Sequence, residues 1–169
     1  GGLLLEPIHV GFNLNIPEGS LPKEDTIPTD FFHDPRVRQA FNYAFDYDAF
    51  LYGPLAGFGQ FNPHYLPIGI FGHDADAAVY GAQDKAKAEA LFRDAGYWDK
   101  GFSVSVITEE SNLFADAALV LKDSMEALNP EALPSTLAPL SALPACTRKV
   151  ARSPSRSMPT RCTKSSEEG

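Results

Sequence analysis

The chain has 169 residues, 44% apolar and 21% charged, with a formal net charge of −8. That is enough for one domain of ordinary size and too little for two lobes closing on each other, and the composition is globular, not that of a disordered chain. The charge is uneven: through Ala132 there are eight Lys/Arg against twenty Asp/Glu, whereas six basic residues face two acidic ones from Leu133 onward. An acidic body excludes a nucleic-acid binder, because phosphate recognition needs clustered cations. No apolar run approaches the roughly 20 residues a membrane-spanning helix requires, so no membrane insertion is expected.

Gly1 to Pro7 carries no basic stretch followed by an apolar core and a small-residue cleavage site, so any targeting signal is expected upstream. From Ile8 to Ile16, Val10, Phe12 and Leu14 alternate with His9, Gly11 and Asn13, the period-2 pattern of a half-buried strand. Pro17 to Asp34 follows neither periodicity and reads as a surface connection. Asp34-Pro35 then opens a helix, since a carboxylate accepts from free first-turn N–H groups and proline's missing donor costs nothing there. Val37, Phe41, Ala44 and Phe45 follow at helical spacing, and Asp46 is positioned to cap a second short helix that ends at Gly53-Pro54.

Leu55 to Tyr80 is rich in Gly, Pro and aromatic residues and is expected to be a long loop of the functional or mobile kind. Asp84 to Ala95 returns to helix, with Ala88, Leu91, Phe92 and Ala95 on one side and Gly96 as a left-handed terminator. Phe102 to Thr108 alternates as a second strand. Asn112 to Leu128 is a further helix with Phe114, Ala117, Ala118, Leu121, Met125 and Leu128 as its apolar stripe, stopped by Asn129-Pro130. Strand, helix, helix, strand, helix opens an α/β sandwich in which helices cover a sheet, and another strand should come next. Leu133 to Gly169 instead holds five Pro and seven Ser, so residues 132–169 are expected to be disordered or aberrant beyond an ordered unit of residues 1–131.

Chemistry has few sponsors. Arg36 and Arg38 flank Val37 and so point to different sides of the helix, as surface ion pairs or solvated heads and not as one anion clamp. His9, His33, His64 and His73 include no pair at ligand spacing on one helix. Cys146 and Cys162 have no Cys-x-x-Cys partner, so no metal site and no cofactor is expected. Asp46 and Asp48 read as a cap and a helix turn. No nucleophile elbow or phosphate-cradling glycine loop occurs, and an enzyme is not expected.

The strand containing Gly11-Phe12-Asn13, the helix Asp34-Pro35-Arg36-Val37-Arg38-Gln39-Ala40-Phe41-Asn42-Tyr43-Ala44-Phe45-Asp46, the loop Gly57-Phe58-Gly59 with Pro63 and Pro67, and the run from Asp84 through Ala95-Gly96-Tyr97 to Gly101-Phe102 together resemble the family 5 extracellular solute-binding proteins of ABC importers. The resemblance spans about residues 8 to 130 and departs at Asp84-Lys85, where the family has Asp-Pro. It implies an α/β fragment of a type II periplasmic-binding-protein-like lobe, with helices on a small mixed sheet. It also implies capture of an oligopeptide, dipeptide or other small solute by interlobe closure, a permease partner, and a periplasmic or extracellular location. On the same resemblance the aromatic loop lies beside the interlobe cleft. Ligand contact is therefore expected from Phe58, Gln60, Phe61 and Tyr65, glycines letting backbone approach while the rings supply walls, and from His9 and Gly11 on the first strand. The competing reading packs those rings under the loop as a satellite of the core. The alternative for the whole chain is a truncated or frameshifted remnant with no function of its own.

Overall fold

The computed structural model describes residues 8–62, 64, 66–74, 76, 82–108, 112–130 and 135–139. Tyr65 and the stretch from Leu140 onward, with both cysteines, lie outside them.

Helix α1, Pro35–Ala44, begins where the sequence says it should. Asp34 accepts the Arg36 backbone N–H at 2.8 Å and Pro35 occupies the first turn. Val37, Ala40, Phe41 and Ala44 form its buried stripe. Asp46 accepts from the Ala49 N–H at 2.9 Å to start α2, Tyr47–Tyr52, and Asp84 accepts from the Lys87 N–H at 3.0 Å to start α3, Lys85–Asp94. α3 ends in a Schellman arrangement: Gly96 has φ +77°, its N–H donates to the Arg93 carbonyl at 2.9 Å, and the Tyr97 N–H reaches the Phe92 carbonyl at 3.0 Å.

α1 packs chiefly on α3. Ala40, Ala44 and Ala88 are fully buried, and these small side chains let the two helices approach closely. Two hydrogen bonds set the register: the Asp84 N–H donates to the Tyr43 carbonyl at 2.9 Å and the Gln83 amide to the Ala44 carbonyl at 3.0 Å. Beyond α3, strand β1 (Val104–Thr108) leads through α4 (Asn112–Leu128) to β2 (Ser135–Pro139), which pairs with β1 in parallel from Val104 opposite Ser135 to Thr108 opposite Pro139. This is a βαβ unit, the connection that parallel strands require. α4 packs on both strands and reaches back to α1 and α2. Its buried Ser124 hydroxyl donates to the Val120 carbonyl at 2.6 Å and accepts the Asp46 N–H at 3.0 Å, tying α4 to the start of α2.

The core is a cluster of rings. Phe31, Phe41, Phe92 and Phe102 are almost completely buried, with Phe31 4.9 Å from Phe102 and 4.7 Å from Tyr97, and Phe41 5.6 Å from Phe92. Edge-to-face and tilted pairs of this kind add to what area burial alone supplies. Burial pushes the Tyr97 hydroxyl above its ordinary range, and the charges of Asp30 and Asp34 act in the same direction.

Three expectations are corrected. No strand forms over Ile8–Ile16. Val10 and Leu14 are 43% and 48% exposed while Phe12 and Ile16 pack on the core, a spacing of four where the alternation required two. No neighbouring strand pairs this segment among the described residues. The Asn13 side chain instead accepts the Asn15 N–H at 3.0 Å in a local turn, and His33 Nε2–H donates to the Leu14 carbonyl. The Pro17–Asp34 connection is not merely superficial, because it buries Ile27, Phe31 and Phe32 and carries a 3-10 turn at Phe31–His33. It also docks beside β1, where the Thr26 N–H donates to the Ser103 carbonyl at 3.0 Å and the Ser105 hydroxyl to Asp25 at 2.7 Å. The sheet among the described residues is parallel and two-stranded, and α1 rests mainly on α3 and α4. Finally, Ser135–Pro139 is ordered as β2 inside the stretch read as unstructured from residue 132. Pairing with β1 supplies the order that its composition does not.

Arg36 and Arg38 do turn to different partners. Arg36 grips both oxygens of Asp34, 2.6 Å at the closest, and donates to the Asp94 carbonyl at 2.7 Å, joining the start of α1 to the end of α3. Arg38 donates to the carbonyls of Phe32 and His33. The Arg36 guanidinium holds the Asp34 carboxyl below its usual range of about 3.8, against a smaller opposing effect of burial. As pH falls, the unfolded chain takes up this proton first. The stability Asp34 provides is therefore present above the unfolded value and lost through the window below about pH 4. Asp34→Asn keeps a capping oxygen but cannot titrate, and should flatten the acid limb of a melting-temperature profile measured between pH 5 and 3. An unchanged limb would contradict this.

Candidate functional site

The loop that follows α2 is shaped by its first turn. The Gly53 N–H closes the helix on the Ala49 carbonyl at 3.0 Å, and Ala56 and Gly57 then take φ of +48° and +78°. The Gly57 N–H reaches back to the Leu51 carbonyl at 2.8 Å, and the Phe58 N–H to Leu55 at 2.8 Å. This fold-back presses Gly59 onto Leu55 and Leu51 so closely that an added Cβ would lie 2.4 Å and 2.9 Å from their methyl carbons. The same turn pushes Phe58 outward, where it is 95% exposed.

Phe61 turns inward instead. Its ring meets Tyr47 edge-on at 4.5 Å, Tyr47 lies 5.0 Å from Phe45, and Phe45 lies 6.1 Å from Phe50. The row thus runs from the loop into α2, and the Tyr47 hydroxyl donates to the Asn42 carbonyl at 3.2 Å. Of the expected contact residues, Phe58 and Gln60 are exposed, Phe61 is half-buried, and Tyr65 lies outside the described residues. His9 and Gly11 are exposed on the N-terminal segment, whose Phe12 ring rests 5.0 Å from Phe32 and 5.7 Å from Phe41. Among the described residues no hydrogen bond or ring contact joins His9 or Gly11 to the aromatic loop. Tyr47 was not anticipated as the ring behind Phe61. Its place as the first residue of a capped helix was the available signal, but the contact it makes is tertiary.

Further along, the chain is tied to one residue. Leu66 donates its N–H to His64 Nδ1 at 3.1 Å, while its carbonyl accepts from His73 Nδ1–H and from the Asn62 amide, each at 2.8 Å. The two imidazoles stand edge to face with centroids 5.5 Å apart. No group of three or more His, Cys, Asp or Glu able to hold a metal occurs among the described residues. Asp46, Tyr47, Asp48, Ala82 and Gln83 line a recess of ≈ 150 Å³ beside the loop, well below the roughly 300–1,000 Å³ of a drug-sized ligand pocket.

The family model described as bacterial extracellular solute-binding proteins, family 5 middle, matches residues 5–139. The dipeptide-binding protein of Escherichia coli K12 is 36% identical over 73 residues, which are 43% of this chain and 13% of that protein. Among solved structures, the binding protein AgaA from A. tumefaciens R10, in complex with agropinic acid, superimposes with a TM-score of 0.57 at 26% identity, over 72% of this chain and 23% of its own. NikZ from Campylobacter jejuni, in complex with Ni(L-His), gives a TM-score of 0.55 at 22% identity over 69% of this chain and 24% of its own. DppA from Helicobacter pylori, in complex with the peptide STSA, gives 0.55 at 24% over 64% and 20%. The chain therefore spans less than a quarter of the length of the relatives it matches, and the last two likenesses speak for the fold alone.

Proposed function

Because the chain belongs to the bacterial extracellular solute-binding proteins of family 5, we propose that it forms part of a lobe in the substrate-binding component of an ABC importer. The solute in this reading is a dipeptide or oligopeptide, captured when a second lobe closes on it. The observation that carries the reading is the coincidence of the family match, residues 5–139, with the ordered elements from the aromatic core to β2. The peptide class is favoured by the dipeptide-binding relative. Closure is favoured by the small size of the recess at the start of α2, since a peptide held there needs further walls from a facing lobe, brought up by a hinge.

In this reading Phe61, Tyr65, Phe58 and Gln60 line one side of the cleft, with His9 and Gly11 at its margin. Main-chain groups hold a varied guest, no covalent step is involved, and delivery is to a membrane permease from the periplasm or the cell exterior. The test is a full-length family member in which residues 8–139 replace the matching segment. Phe61→Ala with Tyr65→Ala in that chimera should weaken peptide binding by tenfold or more in isothermal titration, on the order of 1.4 kcal/mol. Unchanged affinity would remove the loop from the site.

A further inference from the structure

The two half-buried imidazoles around Leu66 are held in opposite tautomers. A backbone N–H can only donate, so His64 must present a bare Nδ1 and carry its proton on Nε2, at a donor–acceptor distance of 3.1 Å. A carbonyl can only accept, so His73 must carry its proton on Nδ1, at 2.8 Å. A second proton affects the rings differently. On His73 it lands on Nε2 and leaves the bond to Leu66 intact, whereas on His64 it lands on Nδ1 and occupies the lone pair that the Leu66 N–H was using.

We propose that His64 and His73 form a proton-operated clasp on Leu66, closed with neutral imidazoles and released on the His64 side when the medium is acidified. With both rings charged, their 5.5 Å separation adds repulsion. Asp74 and Asp76 follow His73 in sequence and are tied to each other through the Asp76 N–H and Asp74 Oδ1 at 3.0 Å. Among the described residues, neither forms an ion pair with the imidazoles. The Leu66 carbonyl keeps its bonds from Asn62 and His73 in both states, so release is confined to the His64 limb, three residues from Phe61. The clasp stands whichever solute is bound.

Nitrogen-15 NMR of the imidazoles in the full chain tests it, with hydrogen exchange of the Leu66 amide followed from pH 8 to 5. At pH 8 His64 should show the Nε2–H tautomer and His73 the Nδ1–H tautomer. Acidification should lower Leu66 protection, relative to an unstructured amide at the same pH, by roughly threefold to tenfold. His64→Gln supplies an acceptor that does not titrate and should abolish the pH dependence, while His73→Gln should retain it. The same tautomer on both rings at pH 8, or a wild-type exchange profile indistinguishable from that of His64→Gln, overturns the proposal. The tautomer measurement needs no variant, so a misfolded substitution cannot rescue it.

Discussion

Replacing Phe31 by alanine should destabilise the chain by about 3–5 kcal/mol, the largest effect expected of any single substitution considered for this molecule. The ring is 1% exposed and meets Phe32 at 4.9 Å, Tyr97 at 4.7 Å, Phe102 at 4.9 Å and Phe41 at 6.5 Å. It is the point where the N-terminal connection, α1, the α3 terminus and the approach to β1 share one core. A domain of this size holds roughly 5–15 kcal/mol in total, so the variant should melt far below the parent or fail to fold cooperatively. Phe58→Ala removes the same side chain from a position that is 95% exposed and should change stability by no more than about 0.5 kcal/mol. Urea titrations of the two variants measure the difference directly. Equal midpoints would mean that the aromatic cluster does not hold the fold together.

The second large effect concerns the seam between α1 and α3. Ala40 and Ala44 on α1 and Ala88 on α3 are fully buried, and α1 packs chiefly on α3, so these small side chains let the helices approach closely. Ala88→Leu forces three extra heavy atoms into that seam and should cost about 1–3 kcal/mol through overpacking. Ala90→Leu, on the exposed face of the same helix, changes helix propensity by the same small amount and should be nearly silent. The comparison separates close packing from helix propensity. Equal melting temperatures for the two variants would show that α3 does not sit tightly on α1.

What was legible in the sequence is what depends on local chemistry. Asp34-Pro35, Asp46, Asp84 and Gly96 mark helix ends by hydrogen bonds that reach two to five residues, and each forms as expected. The apolar stripes of α1, α3 and α4 were legible for the same reason. The alternation at Ile8–Ile16 misleads because alternation describes a strand only when another strand pairs with it. Here the backbone is spent on the Asn13 turn and on His33 instead. Phe31 and Phe32 sit in a stretch rich in Pro, Asp and Glu, and their burial comes from partners up to 71 residues away, which periodicity does not register. β2 escapes a composition-based reading because its order comes from β1, 31 residues upstream in register.

The aromatic loop was recognisable from its glycines and rings, and Phe61 does turn inward while Phe58 does not. That distinction rests on the positive φ of Ala56 and Gly57 and on the ring of Tyr47, neither of which spacing encodes. The histidines were visible only as four dispersed residues. Their pairing depends on which nitrogen bears the proton, and the Leu66 backbone sets that.

Calorimetric titration of a dipeptide and a tetrapeptide tests the part-lobe in two proteins: the 169-residue chain by itself, and a full-length family member carrying residues 8–139 in place of its own segment. A part-lobe that works only against a facing lobe predicts no heat of binding with the chain alone and saturable binding with the chimera. Micromolar affinity in the isolated chain, or a folded chimera that binds neither peptide, would contradict it.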